Sequence, residues 1–455
     1  MRAKTQSVNR LAGYEIPSVA SPNIRSSSRV RDRISNGIAN SNPSQTAVAA
    51  NSGDHPLLLK FLTQQQVVHI AEFQQTLDSP GYEPSNRFLV RNRGEIVAHI
   101  RVIPRELRFG RSTLSTYHLS ELAMLPEYRQ AGCMRMLLAA ARQKAAANRI
   151  ALITADSKRP EILRRMGWAI ITTGTNVTTS PHSLLSTLEE LDATSPNMRW
   201  KDKYEIRPLR FVDQPAMAEM YEASSRLHVG MRKRTHEDWL WLMGRRGFNR
   251  SFVAIRKATN SSPEKVVGYC LLRDNQVVEL ISDRDHALSM LALLRRACAD
   301  VVERGVHSIV ILADSAPDLA LEGFRSVDIP SSLAACVPSA YDFLKPMKAE
   351  LGARALANGA KPETKIGFSS GTETVSLEVT KAKLKLKRNE QVNSRIQVSP
   401  SMMTRLALGS IDLSHIHDAE DISSTTKGAI EAAQAIFSSN RFLQMPLENL
   451  ATMEY

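Results

Sequence analysis

The chain contains few cysteines and few aromatic residues for its length. Only 4 of its 455 residues are cysteines, and 5% are aromatic. The cysteines, Cys133, Cys270, Cys298 and Cys336, are far apart and form no Cys-x-x-Cys pair, which argues against a disulfide scaffold and against a metal site such as zinc. Reduced thiols in a cytoplasmic protein are the expectation. The low aromatic content argues weakly against stacking platforms for single-stranded nucleic acid.

A long apolar run is also lacking. No stretch approaches the ~18 to 20 apolar residues that span a bilayer, so neither a transmembrane helix nor a membrane partner is expected. Residues 1–54 are rich in Ser, Asn, Ala and Arg, with no hydrophobic periodicity and no apolar signal core. We expect a disordered tail there, and an organellar transit peptide is the alternative.

Positive charge is in excess, with a formal net charge of +13. Such a balance favours anionic partners, for example nucleic acid or the phosphates of a nucleotide cofactor. The densest basic run, residues 381–388, alternates lysine with apolar residues, as expected of a strand with one solvated face. A solvated sheet face is therefore the default interpretation. A nucleic-acid partner is the alternative, and it is not expected.

Residues 117–168 predict a strand, a loop, a helix and a second strand. Residues 118–125 are apolar and compatible with a strand, and apolar residues recur at helical spacing after residue 133. Between them lies Gly132, which lets the backbone approach a ligand closely. The first turn of a helix has N–H groups without intrahelical partners and a positive dipole end, so an anion such as a diphosphate fits the loop. An ordinary strand-to-helix turn is the alternative.

The chain contains an internal repeat. Similar strand segments, separated in each copy by one long helix before the last segment, occur in the same order at residues 88–91, 95–100, 121–122 and 150–156 and at residues 252–256, 265–270, 279–280 and 308–314. Two copies of one fold follow. In the second copy the loop has no glycine and carries Asp283 and Asp285 where a diphosphate would lie. We expect that copy to wall a substrate cleft and not to bind coenzyme A; a second active site is the alternative.

The loop around Gly132 resembles the acetyl-CoA-binding motif of the GNAT N-acetyltransferase superfamily, which reads Gln/Arg-x-x-Gly-x-Gly/Ala. Arg129 and Gly132 match, whereas Met134 is a large apolar residue, as in the "enhanced intracellular survival" (Eis-type) branch. The resemblance implies acetyl-CoA as co-substrate, with backbone groups of Leu122, Ala123 and Met124 along its pantetheine arm. It assigns the diphosphate to the loop residues Arg129, Gln130, Ala131, Gly132, Cys133, Met134 and Arg135. Cys133 invites a nucleophile hypothesis, but a small apolar contact beside the cofactor is the preferred interpretation.

The last third of the chain changes pattern. Residues 365–368 and 374–387 predict strands, and residues 400–408 and 426–437 predict helices. This order, and the wording of residues 398–409, resembles the sterol-carrier-like domain that closes Eis-type proteins. The resemblance implies a mixed α/β (α+β) fold with tandem GNAT units, the second degenerate, and a C-terminal sterol-carrier-like domain. The expected division is a tail at 1–54, a catalytic GNAT domain at 55–200, a degenerate GNAT-like domain at 201–346 and the carrier-like domain at 347–455.

Acetyl transfer to an amine needs a neutral amine, a polarised thioester carbonyl and a stabilised thiolate. The resemblance implies that the α-carboxylate of Tyr455 is the general base, and a frayed terminus is the alternative. Where the family keeps a tyrosine as general acid, this chain has Leu163, which cannot donate a proton. His118 shares a strand face with Leu122 and is a further catalytic candidate, with a structural histidine as the alternative; Glu121 is expected on the opposite face.

Two functions are consistent with these patterns. The first is an acetyl-CoA-dependent N-acetyltransferase that acts on a primary amine, such as a lysine side chain, an aminoglycoside or a polyamine. The second is a catalytically weak or inactive acyl-CoA-binding protein of the same architecture, which the leucine at position 163 favours. The resemblance also implies a homo-oligomer, a hexamer. Nucleic-acid binding through the basic tail is a third and weaker hypothesis.

Overall fold

The folded part of the chain begins inside the predicted tail. In the computed structural model, the described residues are 46–156, 160–194, 199–245, 247–259, 262–312, 329–381, 383–411, 413, 422–439 and 442–449. The tail predicted for 1–54 lies outside them up to residue 45, but strand β1 (Val48–Ala49) pairs antiparallel with a strand of the first copy. Residues 46–54 were thus wrongly assigned to a disordered tail. An open sheet edge supplies backbone partners there that composition does not reveal.

The first copy of the repeat contains strands and helices in alternation. They are α1 (His55–Gln64), α2 (Ile70–Leu77), β2 (Arg87–Asn92), β3 (Glu95–Phe109), β4 (Ser112–Met124), α3 (Cys133–Ala147), β5 (Leu152–Ala155), α4 (Pro160–Arg165), β6 (Ala169–Thr179) and α5 (Pro181–Thr194). Helix α3 forms because its buried residues, Leu137, Leu138, Ala141 and Ala145, recur on one face. That face packs on the sheet and fixes the N-terminus of α3 beside the end of β4.

The second copy follows the same plan. Its elements are β7 (Tyr204–Pro208), α6 (Gln214–Ser225), β8 (Val229–Arg232), α7 (His236–Gly244), β9 (Arg250–Arg256), β10 (Lys265–Arg273), β11 (Gln276–Ser282), α8 (Ser289–Glu303), β12 (Ile309–Leu312) and β13 (Ile329–Cys336). Gly268 of β10 permits close packing of α8, since a Cβ there would lie 2.8 Å from Ser289 Oγ. The helix thus covers this copy's sheet as α3 covers the first.

The two copies exchange strands within one continuous sheet. Thirteen strands of the described residues form it in the order β1-β2-β3-β4-β5-β13-β6-β12-β11-β10-β9-β7, and β8 pairs with β3. Strand β13 of the second copy therefore lies between β5 and β6 of the first. Strand β6 of the first copy in turn pairs with β12 of the second. The expected boundary near residue 200 divides the sequence, but it does not divide the sheet.

The C-terminal third forms a separate sheet. Its elements are α9 (Ala340–Leu344), α10 (Lys348–Ala357), β14 (Lys365–Ser370), β15 (Glu373–Val379), β16 (Leu384–Arg388), β17 (Arg395–Val398), α11 (Pro400–Ala407), β18 (Ile422–Ser424) and α12 (Lys427–Ile436). The strands run in the order β16-β15-β14-β17-β18. On β16, Lys385 pairs with Glu378 and Lys387 with Glu390, each at 3.0 Å. The basic run is thus a solvated sheet face with acidic partners.

These layers confirm the predicted mixed α/β fold. Helices cover the long sheet of the two copies, and α10 and α12 pack on the C-terminal sheet. In the part of the chain that the structure describes, no helix is long and apolar enough to cross a membrane.

Candidate active site

Strand β4 leaves its neighbour at a bulge. Its parallel pairing with β5 ends at Leu119 and Ala155. On the other side, the register with β3 shifts between His99 and Arg101, and Glu121 adopts a left-handed backbone conformation with φ of 51°. A bulge of this kind re-aims side chains and opens a ladder. Residues 120–124 therefore present a backbone edge that has no strand partner on the β5 side among the described residues.

The predicted pantetheine residues lie at this edge. Leu122 is 41% exposed, Ala123 is buried and Met124 is half-buried. Met124 and Ala123 pair with Ala98 and His99 of β3. Because that pairing uses the edge facing β3, the edge facing β5 is the one that remains for a ligand.

The loop from β4 to α3 keeps its glycine in a strained conformation. Pro126–Tyr128 forms a 3₁₀ turn, and Gly132 has φ of 78°, in the left-handed region. Met136 N–H donates to the Gly132 carbonyl at 3.1 Å. The N–H groups of Cys133, Met134 and Arg135 precede that bond, so helix geometry gives them no intrahelical acceptor.

Cations surround the start of α3. Arg129, Gln130 and Arg135 are exposed, and Ala131 and Met134 are half-buried. Cys133 is fully buried, and burial raises the pKa of its thiol. A protonated, inaccessible thiol cannot act as a nucleophile. The loop therefore suits an anion held by backbone N–H groups, with Cys133 packed inward.

A cavity of about 160 Å³ lies between the first copy's sheet and elements of the second copy. One face of the sheet forms its floor, since opposite residues of paired strands share a face. The floor contains Arg101, Ile103, Arg105, His118, Ser120 and Asp156. The walls come from α2, α7, β8 and the C-terminal segment, and they contain Glu72, Gln75, Thr76, Arg232, Trp241, Arg245, Glu448 and Asn449.

His118 and Asp156 form a pair on the cavity floor. His118 Nε2 lies 3.2 Å from Asp156 Oδ2, and Nδ1 lies 3.0 Å from Thr154 Oγ1. Since a carboxylate only accepts, Nε2 carries the hydrogen and Nδ1 accepts from the threonine hydroxyl. Burial, and then the charge of Arg105, lower the pKa of His118. The imidazole is thus neutral at neutral pH, and Asp156, half-exposed, is the member of the pair that reaches the cavity.

The pKa of Asp156 is lowered. Burial acts to raise it, but the hydrogen bond and the charge of His118 outweigh that effect. The carboxylate is therefore ionised and oriented by the imidazole. Sequence reasoning missed Asp156, although its position two residues after Thr154, at the end of β5, was the signal that could have placed it beside His118.

Glu121 lies in a buried cluster with two arginines. Its carboxylate accepts from Arg87 Nη1 at 2.5 Å and from Arg101 Nη1 at 3.0 Å. Burial raises the pKa of Glu121, but the two guanidinium groups outweigh burial and lower it to about 2. The expectation that Glu121 faces away from His118 was wrong, since both residues line the cavity. The left-handed bulge at Glu121 breaks the alternation on which that expectation relied.

Leu163 packs in the core of the first copy. It is 3% exposed and belongs to the same hydrophobic cluster as Cys133 and Trp168. Its carbonyl accepts from Met166 N–H at 2.9 Å and from Trp168 N–H at 3.1 Å. A side chain at this position therefore points into the core.

The corresponding loop of the second copy supplies its own anion. Asp283 Oδ1 accepts from Asp285 N–H at 3.2 Å, and its Oδ2 lies 2.9 Å from Lys265 Nζ. A carboxylate thus occupies the position that the first copy leaves to the backbone groups after Gly132. This arrangement agrees with the expectation that the second copy does not bind a diphosphate.

The second copy also seals its equivalent of Glu121. Glu279 holds Arg234 through two hydrogen bonds of 2.9 and 2.6 Å and accepts from Tyr269 at 2.6 Å. Arg234 Nε donates to Glu448 at 2.8 Å, and all these charged side chains are fully or almost fully buried. The second copy thus forms a rigid wall, to which Glu448 attaches the C-terminal segment.

The C-terminal segment reaches the cavity before the described residues end. Leu443 N–H donates to the Val229 carbonyl at 2.7 Å, and Asn449 Oδ1 accepts from Arg105 at 3.0 Å. Glu448 and Asn449 line the cavity. The predicted catalytic residue Tyr455 lies outside the described residues.

Sequence comparison identifies the first copy. Residues 60–171 match the model of the acetyltransferase (GNAT) domain family. The matched segment runs from α1 into β6 and contains His118, the Gly132 loop and Asp156. The chain therefore contains a GNAT acetyltransferase domain, a class that transfers acyl groups from acyl-CoA. No curated protein sequence is significantly similar to this chain.

Solved structures share the fold over almost the whole chain. A GCN5-related N-acetyltransferase from Anabaena variabilis has a TM-score of 0.67 at 12% identity, covering 87% of this chain and 98% of that one. One from Kribbella flavida has a TM-score of 0.67 at 12% identity, covering 88% and 99%. Eis1 from Mycobacterium abscessus has a TM-score of 0.59 at 15% identity, covering 90% and 100%. At these identities the likeness establishes the fold alone.

Proposed function

We propose that this chain is an acetyl-CoA-dependent N-acetyltransferase that acetylates a primary amine. The observation that carries the proposal is the continuity of three features in the GNAT domain. The edge of β4 that parts from β5, the N–H groups after Gly132 and the cavity with the His118–Asp156 pair follow one another along one side of the sheet. By the Eis-type resemblance, the C-terminal third is proposed to be a sterol-carrier-like domain and the assembly a hexamer.

The residues after β4 fit the coenzyme. Backbone N–H groups of Cys133, Met134 and Arg135, with the cations Arg129 and Arg135, would hold the diphosphate through charge-assisted hydrogen bonds. Residues 122–124 would pair with the amide groups of the pantetheine arm. When bound, acetyl-CoA supplies a thioester whose carbonyl carbon accepts a nucleophile. This chain's part is to hold it at the end of the cavity where His118 and Asp156 lie.

Asp156 is proposed to take the proton of the acceptor amine. Attack by the amine nitrogen forms the N–C bond while the C–S bond breaks, and the ammonium proton passes to the carboxylate that His118 orients. His118 then stabilises the protonated pair through its Nε2–H bond. Because Leu163 offers no proton, the departing thiolate takes its proton from water or from this pair. The α-carboxylate expected at Tyr455 is the alternative base.

A coenzyme A release assay over a panel of amines tests the proposal. Wild-type protein should release coenzyme A only when an amine is present. Asp156→Asn should lower kcat by ~10²- to 10⁴-fold, the range for a lost general base, while acetyl-CoA still binds in calorimetry. Asp202→Asn is the matched control, because Asp202 is exposed in the second copy. Full activity in Asp156→Asn would assign the base elsewhere.

A non-catalytic acyl-CoA-binding protein is the second candidate, favoured by Leu163. It predicts normal acetyl-CoA affinity and no amine-dependent coenzyme A release. The panel separates the two candidates, since binding and turnover are measured on the same preparation.

A further inference from the structure

The cavity contains two arginines whose charge is not matched by a carboxylate. Among the described residues, no acidic side chain lies within ion-pair distance of Arg105 or Arg245. The other two arginines of the lining are paired, Arg101 with Glu121 and Arg232 with Asp238. Buried cations without partners are costly, so their presence in one cavity points to a ligand.

Arg105 projects from the floor, close to the catalytic pair. Its Nη1 donates to Asn449 Oδ1 at 3.0 Å, but its Nε is buried and has no hydrogen-bond partner. Burial, and then the charge of Arg232, lower the pKa of Arg105 to about 9. The same guanidinium lowers the pKa of His118. An anion bound to Arg105 would therefore lie beside the His118–Asp156 pair.

Arg245 approaches the same C-terminal segment from the opposite wall. It is 7% exposed, and its guanidinium carbon lies 4.4 Å from the centroid of the Trp241 ring. Its Nη2 donates to the Leu447 carbonyl, while its Nε is buried without a partner. Burial lowers the pKa of Arg245 to about 10. Leu447 and Asn449 belong to one 3₁₀ turn, Pro446–Asn449, so that turn attaches to both arginines.

Unmatched negative charge also lines the cavity, but separately. Glu72 on α2 is half-buried and forms no ion pair with the described residues. Burial, and then the charge of Glu121, raise the pKa of Glu72. Asp156 is the second free carboxylate, bonded only to neutral His118. The cavity thus offers groups for both signs of charge.

We infer that the acceptor is a small amine that also carries an anionic group, a carboxylate or a phosphate, which Arg105 and Arg245 bind while the amine lies toward Asp156. The inference rests on the proposed function and narrows its substrate. A polycation such as a polyamine or an aminoglycoside leaves both guanidinium groups unmatched and adds like charge to them. The cavity volume of about 160 Å³ also suits a small acceptor.

Matched amine pairs test the inference in the coenzyme A release assay. Each pair differs only by the anionic group: lysine and cadaverine, ornithine and putrescine, O-phosphoethanolamine and ethanolamine. The anionic member should have the higher kcat/KM by about 10-fold or more, as for a hydrogen bond to a charged group. Preference confined to the first two pairs identifies a carboxylate, and preference confined to the third identifies a phosphate.

Variants show whether the arginines cause the preference. Arg105→Gln should raise KM for the anionic member about 10- to 100-fold and leave KM for its partner amine within about 2-fold, so the preference disappears. Arg105→Lys should retain part of it. Arg111→Gln, on the exposed turn between the same two strands, is the control and should retain all of it.

Two results would overturn the inference and are distinguishable. Equal kcat/KM for both members of every pair refutes the anionic acceptor while the acetyltransferase proposal stands. If no member releases coenzyme A although acetyl-CoA binds, the proposed function fails and the inference fails with it.

Discussion

His99 donates a hydrogen bond of 2.9 Å from Nδ1 to the backbone carbonyl of Glu121, at the residue where β4 bulges. A carbonyl only accepts, so Nδ1 carries the hydrogen and Nε2 accepts from Arg87 Nη1 at 3.1 Å. The imidazole is fully buried and neutral, and burial, reinforced by Arg87, lowers its pKa to about 3. A neutral histidine thus fixes the backbone that opens the cofactor edge.

This histidine should make the protein less stable in mild acid. The unfolded chain takes up a proton on His99 near pH 6.5, whereas the folded chain does so only near pH 3. The contribution of His99 to stability is therefore complete above pH 6.5 and is lost as the pH falls toward 3. Between pH 6.5 and 4.5, the urea midpoint should fall, and His99→Gln should make that fall shallower.

Glu121 does not confuse this window, because its pKa falls from 4.5 to about 2 and its contribution is lost only below pH 4.5. His182→Gln, at an exposed helical position, is the control and should leave the slope unchanged. An identical slope in wild type and His99→Gln would mean that the imidazole is not buried and neutral.

Gly132→Glu should abolish acetyl-CoA binding. The substitution adds an anion where the diphosphate would lie and strains a backbone with φ of 78°. Gly305→Glu is a matched control, since Gly305 also has positive φ, 71°, and open space around it, but lies in the second copy. Calorimetry should give one site per chain for wild type and Gly305→Glu. Two equivalent sites, or binding by Gly132→Glu, would contradict the assignment of the loop.

Local patterns in the sequence predicted the local structure well. The C-terminal helices predicted at 400–408 and 426–437 are observed as Pro400–Ala407 and Lys427–Ile436. Periodicity and capping residues determine such elements, and Ser399 and Thr426 cap them. The Gly132 loop was found in the same way, because glycine before an amphipathic helix is a local signal.

Long-range relationships were not predictable from these patterns. The insertion of β13 between β5 and β6 joins residues about half the chain apart, and each strand alone reads as an ordinary buried strand. The bulge at Glu121 depends on the register between β3 and β4, which the 15-residue length of β3 sets. The mixed charge of the cavity arises from four elements that only tertiary packing brings together.

Leu163→Tyr should destabilise the protein without raising turnover. The resemblance suggests a tyrosine acid at this position, but Leu163 lies in the core, so a larger ring would overpack it and leave the hydroxyl without a partner. We expect a loss of about 1 to 3 kcal/mol in the free energy of unfolding. Leu163→Met, which conserves volume, should cost less. Faster coenzyme A release by Leu163→Tyr at wild-type stability would show instead that position 163 reaches the thiolate.

The pH dependence of turnover should report the His118–Asp156 pair. The orienting imidazole must be neutral, so kcat/KM should fall as the pH drops through the pKa of His118, which lies below its usual 6.5. Since the charge of Arg105 contributes to that lowering, Arg105→Gln should raise the pKa and move the acid limb to higher pH. The shift is best measured with an amine that lacks an anionic group, for which Arg105 is not a binding residue. An acid limb at the same pH in wild type and Arg105→Gln would show that turnover does not depend on the protonation of His118.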